Sequence, residues 1–263
     1  MPHYMVVDAF TDQPFKGNPA AVVMDEPGRD DAWRQAVAAE FRLSETAFLT
    51  PRAAGRWGLR WFTPTVEVRL CGHATLASVQ ALLTWDKLLR GGEAVFETLS
   101  GDLRCREQGG WIRLDLPAAA VKPVPAPAGL LAALGLAADR PVHADAEDLL
   151  VEVADAAALR AVAPDFKALA QAPCRGVCVT APGADGADFF SRFFAPRVGV
   201  DEDPVTGSAH CRLGPFWGAR LGKAQLLGRQ LSARGGEVRV ELKGGRVALA
   251  GQAVVVTRGN LWA

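Results

Sequence analysis

Glu45 is the carboxylate of this sequence whose neighbours best suit acid–base chemistry. It lies in the segment FRLSETAFL, close to Phe41, Leu43 and Phe48. Burial among such residues disfavours the ionised form of a carboxyl group and raises its pKa towards the working pH. A general acid or base of this kind accelerates a reaction by roughly 10²–10⁴. A turn with a salt bridge at Ser44-Glu45 is the structural alternative, and the residues alone leave both open.

Two glycines stand where helices are predicted to begin, Gly72 before His73 and Gly207 before Ser208. The N–H groups in the first turn of a helix have no partner within the helix and carry a partial positive charge. A glycine there allows a ligand to approach the backbone. Each glycine alone could be an ordinary turn residue, but the pair favours two helix N-termini that bind one small carboxylate.

The polar residues around these glycines are candidates for substrate contacts. Asp201, Glu202 and Asp203 come before Gly207 and could cap its helix. Asp203 could instead accept hydrogen bonds from a substrate amine or hydroxyl. His73 could be structural, although its place at the first glycine favours a substrate contact or proton transfer.

Cys71 precedes the first of these glycines, where a helix N-terminus would lower the pKa of a thiol. A racemase with two thiols needs a second cysteine at the equivalent place, which holds Thr206. We therefore expect Cys71 to be a packing residue. The spacings of Cys71 with His73 and of His210 with Cys211 do not match the usual zinc-ligand pairs, and we expect no metal.

Composition excludes several classes of function. The 29 basic and 29 acidic residues balance, which argues against a nucleic-acid-binding protein. The N-terminus predicts no signal peptide, and no apolar run approaches the roughly 18 residues of a membrane span. The five cysteines predict free thiols in the cytoplasm. No dinucleotide or phosphate-binding glycine motif occurs, so we expect no nucleotide cofactor.

An internal repeat sets the architecture that positions the candidate residues. Residues 60–75 and 192–211 share five identities and then reach the two glycines. Such a repeat predicts two similar halves, each with a strand, a loop and a helix N-terminus. The identical pairs are Arg60 and Arg192, Phe62 and Phe194, Pro64 and Pro196, Val66 and Val198, and Val68 and Val200.

Hydrophobic periodicity predicts strands and helices on both sides of a proline-rich linker at 117–128. We expect domains at 1–117 and 118–251, with a final strand at about 252–263 that returns to the first. Pro215 predicts a kink or an early end in the helix that begins at Gly207. The predicted helices are 31–41, 72–83, 128–136 and 155–170, and the predicted strands are 4–10, 20–24, 46–50, 57–63, 94–98, 101–106, 111–116, 148–153, 177–182, 189–195, 237–242, 246–250 and 253–257.

Four segments together resemble the PhzF-like isomerase family of phenazine biosynthesis: VDAFTDQPFKGNPAAVV, LSETAFL, RWFTP with LCGHATLA, and DEDPVTGSAH. The resemblance covers nearly the whole chain. It implies an α+β fold of the diaminopimelate epimerase type. Two pseudo-symmetric domains would each wrap a curved, mostly antiparallel sheet around a central helix, with the site in the cleft between them.

The resemblance also implies a chemistry without cofactor or metal and a homodimeric enzyme. Glu45 would be the general acid and base. Arg42 and Arg69 stand where many relatives have small or uncharged residues, so substrate preference could differ. The residues that would contact the substrate, relay a proton or bind its carboxylate are Gly72, His73, Asp203, Gly207 and Ser208.

Three hypotheses follow from these residues. The first is a cofactor-independent isomerase that moves a carbon-bound proton within a small cyclic or amino carboxylate. The second is an epimerase or racemase of amino or hydroxy acids that uses Cys71 and one other group. The third is a metabolite-binding protein without turnover.

Overall fold

The computed structural model describes residues 1–53 and 55–262, and the chain divides into two compact units. Unit 1 comprises Met1–Asp115 and Ala248–Ala263, and unit 2 comprises Leu116–Val247. The C-terminal strand therefore lies with the N-terminal residues.

The chain order of the elements alternates strands with a few helices. The helices are α1 (Asp31–Phe41), α2 (Gly72–Thr84), α3 (Leu130–Ala133), α4 (Ala156–Ala161), α5 (Phe166–Leu169) and α6 (Gly207–Leu221), with a 3₁₀ turn at Pro196–Val198. The strands are β1 (His3–Ala9), β2 (Asn18–Met24), β3 (Glu45–Pro51), β4 (Arg56–Phe62), β5 (Glu67–Val68), β6 (Glu93–Thr98), β7 (Gly101–Gln108), β8 (Trp111–Pro117), β9 (Lys122–Pro123), β10 (Val142–Ala144), β11 (Asp148–Glu152), β12 (Gly176–Pro182), β13 (Phe189–Ala195), β14 (Val200–Asp203), β15 (Gln225–Gln230), β16 (Gly236–Lys243), β17 (Arg246–Gly251) and β18 (Ala253–Asn260).

Unit 1 wraps a mostly antiparallel sheet around α2. Strand β1 pairs antiparallel with β2 and β18, and β2 runs parallel to β3. Strand β4 is antiparallel to β3 and β5 and parallel to β6. Helix α2 contacts β1, β2, β3 and β18, and nine of its 13 residues are buried. Its apolar sequence fits this central position.

Unit 2 repeats this topology around α6. Strand β10 is antiparallel to β11, which runs parallel to β12. Strand β13 is antiparallel to β12 and β14 and parallel to β15. The order β10–β14, α6, β15, β16 therefore matches β1–β5, α2, β6, β7. The predicted α+β fold, with a central helix in each half, is confirmed.

The repeated residues make the same contacts in both units. In unit 1, Arg60 donates from Nε and Nη2 to the two carboxylate oxygens of Glu67, at 2.7 and 2.8 Å. In unit 2, Arg192 donates in the same way to Glu202, at 2.8 and 3.0 Å. Each pair fixes the short strand that leads towards a central helix, because a bidentate pair constrains both side chains.

Helix α6 runs without an early end to Leu221, although Pro215 lies inside it. Proline has no N–H group, so the carbonyl four residues before Pro215, that of Cys211, has no hydrogen-bond donor within the helix. That carbonyl accepts a hydrogen bond from the N–H of Ala119 at 3.0 Å. Ala119 belongs to the proline-rich segment. The expectation of an early end was wrong, because this distant residue satisfies the freed carbonyl.

The proline-rich segment at 117–128 is fixed to unit 2. The N–H of Ala118 donates to the carbonyl of Gly245, and the N–H of Val124 donates to that of Val142. The short β9 also pairs with β10. These backbone hydrogen bonds exclude a freely moving linker in this segment.

The helix predicted at 155–170 is two shorter helices, α4 and α5, on either side of Pro164. Asp155 and Asp165 cap them by accepting from the N–H groups of Ala158 and Ala168. Proline disfavours helical conformation in the residue before it, and this divides the segment. The helix predicted at 128–136 is likewise reduced to the single turn α3.

No helix among the described residues is long and apolar enough to span a membrane.

Candidate functional site

Unit 1 brings a carboxylate, an imidazole and a thiol together at the first turn of α2. Glu45 is the first residue of β3, and β2 pairs with β3 so that Ala20 lies beside it. His73 is the second residue of α2. Its Nε2 atom lies 3.3 Å from Oε2 of Glu45. The Glu45 side chain is 19% exposed, so the group is largely removed from water and still reachable.

The immediate surroundings of Glu45 differ from those expected from the sequence. Phe41 and Phe48 belong to an apolar cluster around α1, where they pack with Trp33 and Phe62. Successive side chains of a strand point to opposite faces, so Glu45 and Phe48 face different sides of β3. The polar groups at α2, and not these phenylalanines, form the nearest surroundings of the Glu45 carboxylate.

His73 is a neutral imidazole with a defined tautomer. Burial lowers the pKa of His73 to about 3, because desolvation disfavours its charged form. The amide Nδ2 of Asn18 lies 3.3 Å from Nδ1 of His73. An amide nitrogen can only donate, so Nδ1 accepts and the ring proton is on Nε2. The Nε2–H group therefore faces the carboxylate of Glu45.

Cys71 belongs to the same cluster. Its Sγ atom lies 3.5 Å from Nδ1 and 4.0 Å from Nε2 of His73. One ligand atom from each of Glu45, Cys71 and His73 lies within 4.8 Å of the others. Among the described residues, these three side chains are close enough to one another to hold one metal ion. His210 and Cys211, which also entered the sequence argument about zinc, lie in unit 2.

The two central helices start differently from the peripheral ones. Asp30 accepts from the N–H of Trp33 and caps α1, and aspartates also cap α4 and α5. Cys71 and Thr206 occupy the cap positions of α2 and α6, and neither makes a side-chain cap hydrogen bond. First-turn N–H groups that no cap side chain satisfies suit an anion.

Unit 2 surrounds the start of α6 with hydroxyl, carboxylate and amide groups. The hydroxyl of Thr206 donates to Oδ2 of Asp203 at 2.5 Å. Gln230 donates to the backbone carbonyl of Asp203 at 2.7 Å and accepts from the N–H of Thr206 at 2.9 Å. Gln230 thereby fixes the segment between β14 and α6. This arrangement positions the Asp203 carboxylate at the helix start.

Ser208, the second residue of α6, contacts a network of buried charges. Its Oγ accepts from Nη2 of Arg175 at 3.2 Å. Arg175 also pairs with Asp148, and Arg212 pairs with Asp148 and Asp145. Because an arginine only donates, the hydroxyl proton of Ser208 is directed elsewhere. The Ser208 hydroxyl can therefore donate to a second partner.

His210 lies inside the helix packing and not at the ligand side of α6. Its Nδ1 donates to the carbonyl of Thr206 at 2.8 Å, and its ring packs against Phe189. Burial lowers the pKa of His210 to about 4. The structure therefore gives this histidine a packing role.

Three residues of these sites had no assigned role in the sequence: Asn18, Gln230 and Arg175. Asn18 stands in the FKGNPA segment, and its place as a polar residue before a predicted strand was the one feature that could have indicated a role. Gln230 and Arg175 gave no signal, because strand register brings them to α6. Arg42 is the C-cap residue of α1, in a left-handed conformation, and Arg69 donates to the carbonyl of Leu99. Their effect on substrate preference stays a prediction.

Comparison with known proteins relates the whole chain to one family. The family described as phenazine biosynthesis-like protein matches residues 7–259. An uncharacterised isomerase of Pseudomonas aeruginosa is 48% identical over 256 residues, which cover 97% of this chain and 96% of the relative. The crystal structure of a PhzF family protein from Enterococcus faecalis superposes with a TM-score of 0.94 and 38% identity, covering 100% and 99% of the two chains.

A more distant structure shares the fold alone. A probable proline racemase from Agrobacterium radiobacter, with bound carbonate, superposes with a TM-score of 0.67 and 12% identity. The superposition covers 99% of this chain and 93% of the racemase. The two-fold-repeated architecture is therefore that of epimerases and racemases, as the motifs implied.

Proposed function

Because the chain belongs to the phenazine biosynthesis-like (PhzF-like) family, we propose that it moves a carbon-bound proton within a small carboxylate, with Glu45 as general acid and base. Membership of the family confirms the resemblance carried by the motifs, and the isomerase relatives make this chain an isomerase. A binding protein without turnover is thereby disfavoured.

The contact between Glu45 and His73 at the uncapped start of α2 carries the proposal. A neutral Nε2–H group at 3.3 Å stabilises the ionised carboxylate without neutralising it as an imidazolium would. It also fixes the direction of one carboxylate oxygen. The second oxygen then takes the proton from a substrate carbon and returns it to another carbon of the same molecule. The substrate gains one proton for the one that it loses, so no co-reactant is needed. While the proton is held on the partly exposed Glu45, it can exchange with solvent.

We assign the binding of the substrate to the two uncapped helix starts. The N–H groups of Gly72, Gly207 and Ser208 would bind the substrate carboxylate, which stabilises negative charge as the carbon is deprotonated. Asp203 would accept from a substrate amine or hydroxyl. Binding at these groups would fix the reacting carbon near Glu45.

Hydrogen exchange in heavy water tests the proposal. Cyclic and amino carboxylates are incubated with the enzyme, and carbon-bound deuterium is followed by mass spectrometry. We expect incorporation with the substrate, and a rate roughly 10²–10⁴-fold lower in Glu45→Gln. Glu40→Gln, on the exposed side of α1, is the matched control and should retain the rate. Unchanged exchange in Glu45→Gln would remove Glu45 as the base.

Epimerisation of an amino or hydroxy acid is the second candidate. The observation that favours it is the Cys71 Sγ atom at 3.5 Å from His73, since a thiol beside an imidazole can exchange protons. Thr206 at the equivalent place in unit 2 provides no second thiol. A chiral assay separates the two candidates, and little effect of Cys71→Ala would exclude the thiol mechanism.

We propose that the enzyme needs no cofactor or resident metal and works as a cytoplasmic homodimer. The dimer rests on the resemblance to the family. All five cysteines, each within the described part of the chain, are free thiols, as a reducing compartment favours. Mass measurement of the native protein tests the dimer.

A further inference from the structure

Arg175 connects a buried carboxylate to a hydroxyl group at the start of α6. Its Nε donates to Oδ1 of Asp148 at 3.0 Å, and its Nη2 donates both to Oδ2 of Asp148 and, at 3.2 Å, to Oγ of Ser208. The Asp148 side chain is fully buried, whereas that of Arg175 is 37% exposed. One guanidinium group therefore extends from the interior of unit 2 to the first turn of its central helix.

Asp148 and Phe193 hold this guanidinium group in a fixed orientation. The two hydrogen bonds to the carboxylate form a bidentate pair, which constrains the geometry as well as adding energy. Nη1 of Arg212 lies 3.1 Å from the same carboxylate and helps to hold it. The Cζ atom of Arg175 lies 5.6 Å from the centroid of the Phe193 ring, within the range of a cation–π contact. The Nη2 group is thus directed at Ser208 before any ligand binds.

Serine occupies the equivalent position of unit 1. Arg175 immediately precedes β12, and Ser44 immediately precedes the equivalent strand β3. In unit 1 the second residue of the central helix meets the carboxylate of Glu45, which starts β3, whereas β12 starts with Gly176. Unit 2 therefore has a cation beside the start of its central helix where unit 1 has a carboxylate.

A charged donor makes the Ser208 hydroxyl a stronger donor in its turn. Because arginine only donates, Oγ of Ser208 accepts from Arg175, and its own proton can be given to another acceptor. Hydrogen bonds that follow one another polarise each other, and those from an ionised donor are roughly twice as strong as neutral ones. The guanidinium charge also attracts a nearby anion. Both effects favour an anion at the start of α6.

We propose that Arg175 is a positioning residue that orients the Ser208 hydroxyl so that it donates to the carboxylate of the substrate. The inference rests on the proposed function, in which the start of α6 binds that carboxylate. Arg175 acts through Ser208 and does not itself contact the reacting atoms. Its contribution therefore appears in the affinity for a carboxylate and disappears when the Ser208 hydroxyl is removed.

A double-mutant cycle with benzoate as the probe tests this role. Calorimetric titration gives the dissociation constant of benzoate for the parent, Arg175→Gln, Ser208→Ala and the double variant. We expect binding to weaken about tenfold in Ser208→Ala, which loses a hydrogen bond, and about fivefold in Arg175→Gln, which loses its orientation. The double variant should bind like Ser208→Ala, within about twofold, because residues that share one contact are not additive.

Arg197→Gln is the matched control for the loss of an arginine in unit 2. The Arg197 side chain donates to the backbone carbonyl of Ala172 at 2.9 Å, and we expect its variant to bind benzoate like the parent. A loss in Arg197→Gln equal to that in Arg175→Gln would contradict a specific role of Arg175.

A merely structural role of Arg175 predicts a different result. Removing a partner of the buried Asp148 would then weaken benzoate binding by the same factor with and without the Ser208 hydroxyl. Losses that multiply in the double variant would overturn the positioning role, and so would an unchanged affinity in Arg175→Gln. The thermal midpoint of each variant reports on folding.

Arg175→Lys is the second variant in case glutamine disturbs folding. It keeps a positive charge beside Asp148 but lacks the planar group that pairs with a carboxylate and a hydroxyl together. We expect it to bind benzoate more weakly than the parent and, again, to lose nothing further in Ser208→Ala. An affinity like that of the parent would contradict positioning by the guanidinium group.

The proposed function is tested by a separate measurement, the exchange rate of Glu45→Gln. Exchange lost in that variant together with an additive cycle would contradict the role of Arg175 alone. A non-additive cycle together with full exchange in Glu45→Gln would support Arg175 and contradict Glu45 as the base. A parent protein that does not bind benzoate would overturn the inference about Arg175.

Discussion

The first turns of α2 and α6 lie at equivalent points of the same topology but carry different side chains. In unit 1, α2 begins with Cys71, Gly72 and His73, and Glu45 starts the neighbouring strand. In unit 2 the corresponding residues after β14 are Thr206, Gly207 and Ser208. One duplicated scaffold therefore supplies two similar helix ends, of which one begins with a thiol and an imidazole and the other with two hydroxyls.

The strand that carries Glu45 shows why a side chain at this strand position exists in unit 1 alone. The equivalent strand of unit 2, β12, begins with Gly176. A Cβ atom at Gly176 would lie 2.3 Å from Cζ of Phe193. Any side chain there would collide with that ring. Under the proposed function, unit 1 would carry out the proton transfer and unit 2 would hold the ligand.

The largest expected difference between the units lies in the stability provided by the repeated arginine–glutamate pairs. Arg192 has 13% side-chain exposure and also donates to the carbonyl of Val162, whereas Arg60 is 31% exposed. Arg192→Ala should lower the free energy of unfolding by about 3 kcal/mol, because it leaves Glu202 and a carbonyl without a partner. Arg60→Ala should cost about 1 kcal/mol. Denaturant unfolding of both variants checks this, and equal losses would contradict the difference in burial.

A smaller effect is expected for the carboxylate of unit 2. Asp203→Asn should lower kcat/KM for the substrate by about 100-fold, because a charged hydrogen-bond acceptor is lost. Steady-state kinetics measures this loss. Asp201→Asn, at an exposed position of the same strand, is the control and should have kinetics close to the parent. Similar values for both variants would remove Asp203 from the site.

The tight packing at Gly176, the position of unit 2 that is equivalent to Glu45, can be tested by adding a side chain there. Gly176→Ala should destabilise the protein by about 1–3 kcal/mol, because the added methyl group meets Phe193. Gly245→Ala should have little effect, since no atom lies within 4 Å of its Cβ position. Thermal or denaturant unfolding compares the two. An equally stable Gly176→Ala protein would mean that Phe193 can move aside.

The smallest effect concerns the buried histidines, one in each unit. An unfolded histidine takes up a proton below about pH 6.5, whereas burial keeps His210 neutral down to about pH 4. The unfolded state binds more protons in this window, so the free energy of unfolding falls as the pH falls. His210→Gln should reduce that slope by about 1.4 kcal/mol per pH unit. An unchanged slope between pH 6 and pH 4.5 would show that His210 is protonated in the folded protein.

Much of the fold and part of the site could be predicted from local sequence. The repeat and the glycines predicted both central helices and the residues at their starts. The strand that begins at Glu45 followed from the apolar run after it. These features depend on residues adjacent in the chain, and a repeat makes the same pattern visible twice.

The remaining features depend on partners that are distant in sequence. Ala119 satisfies the carbonyl that Pro215 leaves free, and no local pattern indicates that hydrogen bond. Asn18 reaches His73 because β2 packs against α2, and Gln230 reaches Thr206 from β15. The face of β3 on which Glu45 lies likewise follows from strand register.

The exchange rate in heavy water at saturating substrate tests the division of roles between the two units most directly. Glu45→Gln and Ser208→Ala are compared with the parent enzyme, one variant from each unit. We predict that Glu45→Gln remains slow at any substrate concentration, because it lacks the base. We predict that Ser208→Ala approaches the parent rate when substrate is raised, because it has lost mainly binding. Full exchange in Glu45→Gln at saturation would contradict the account.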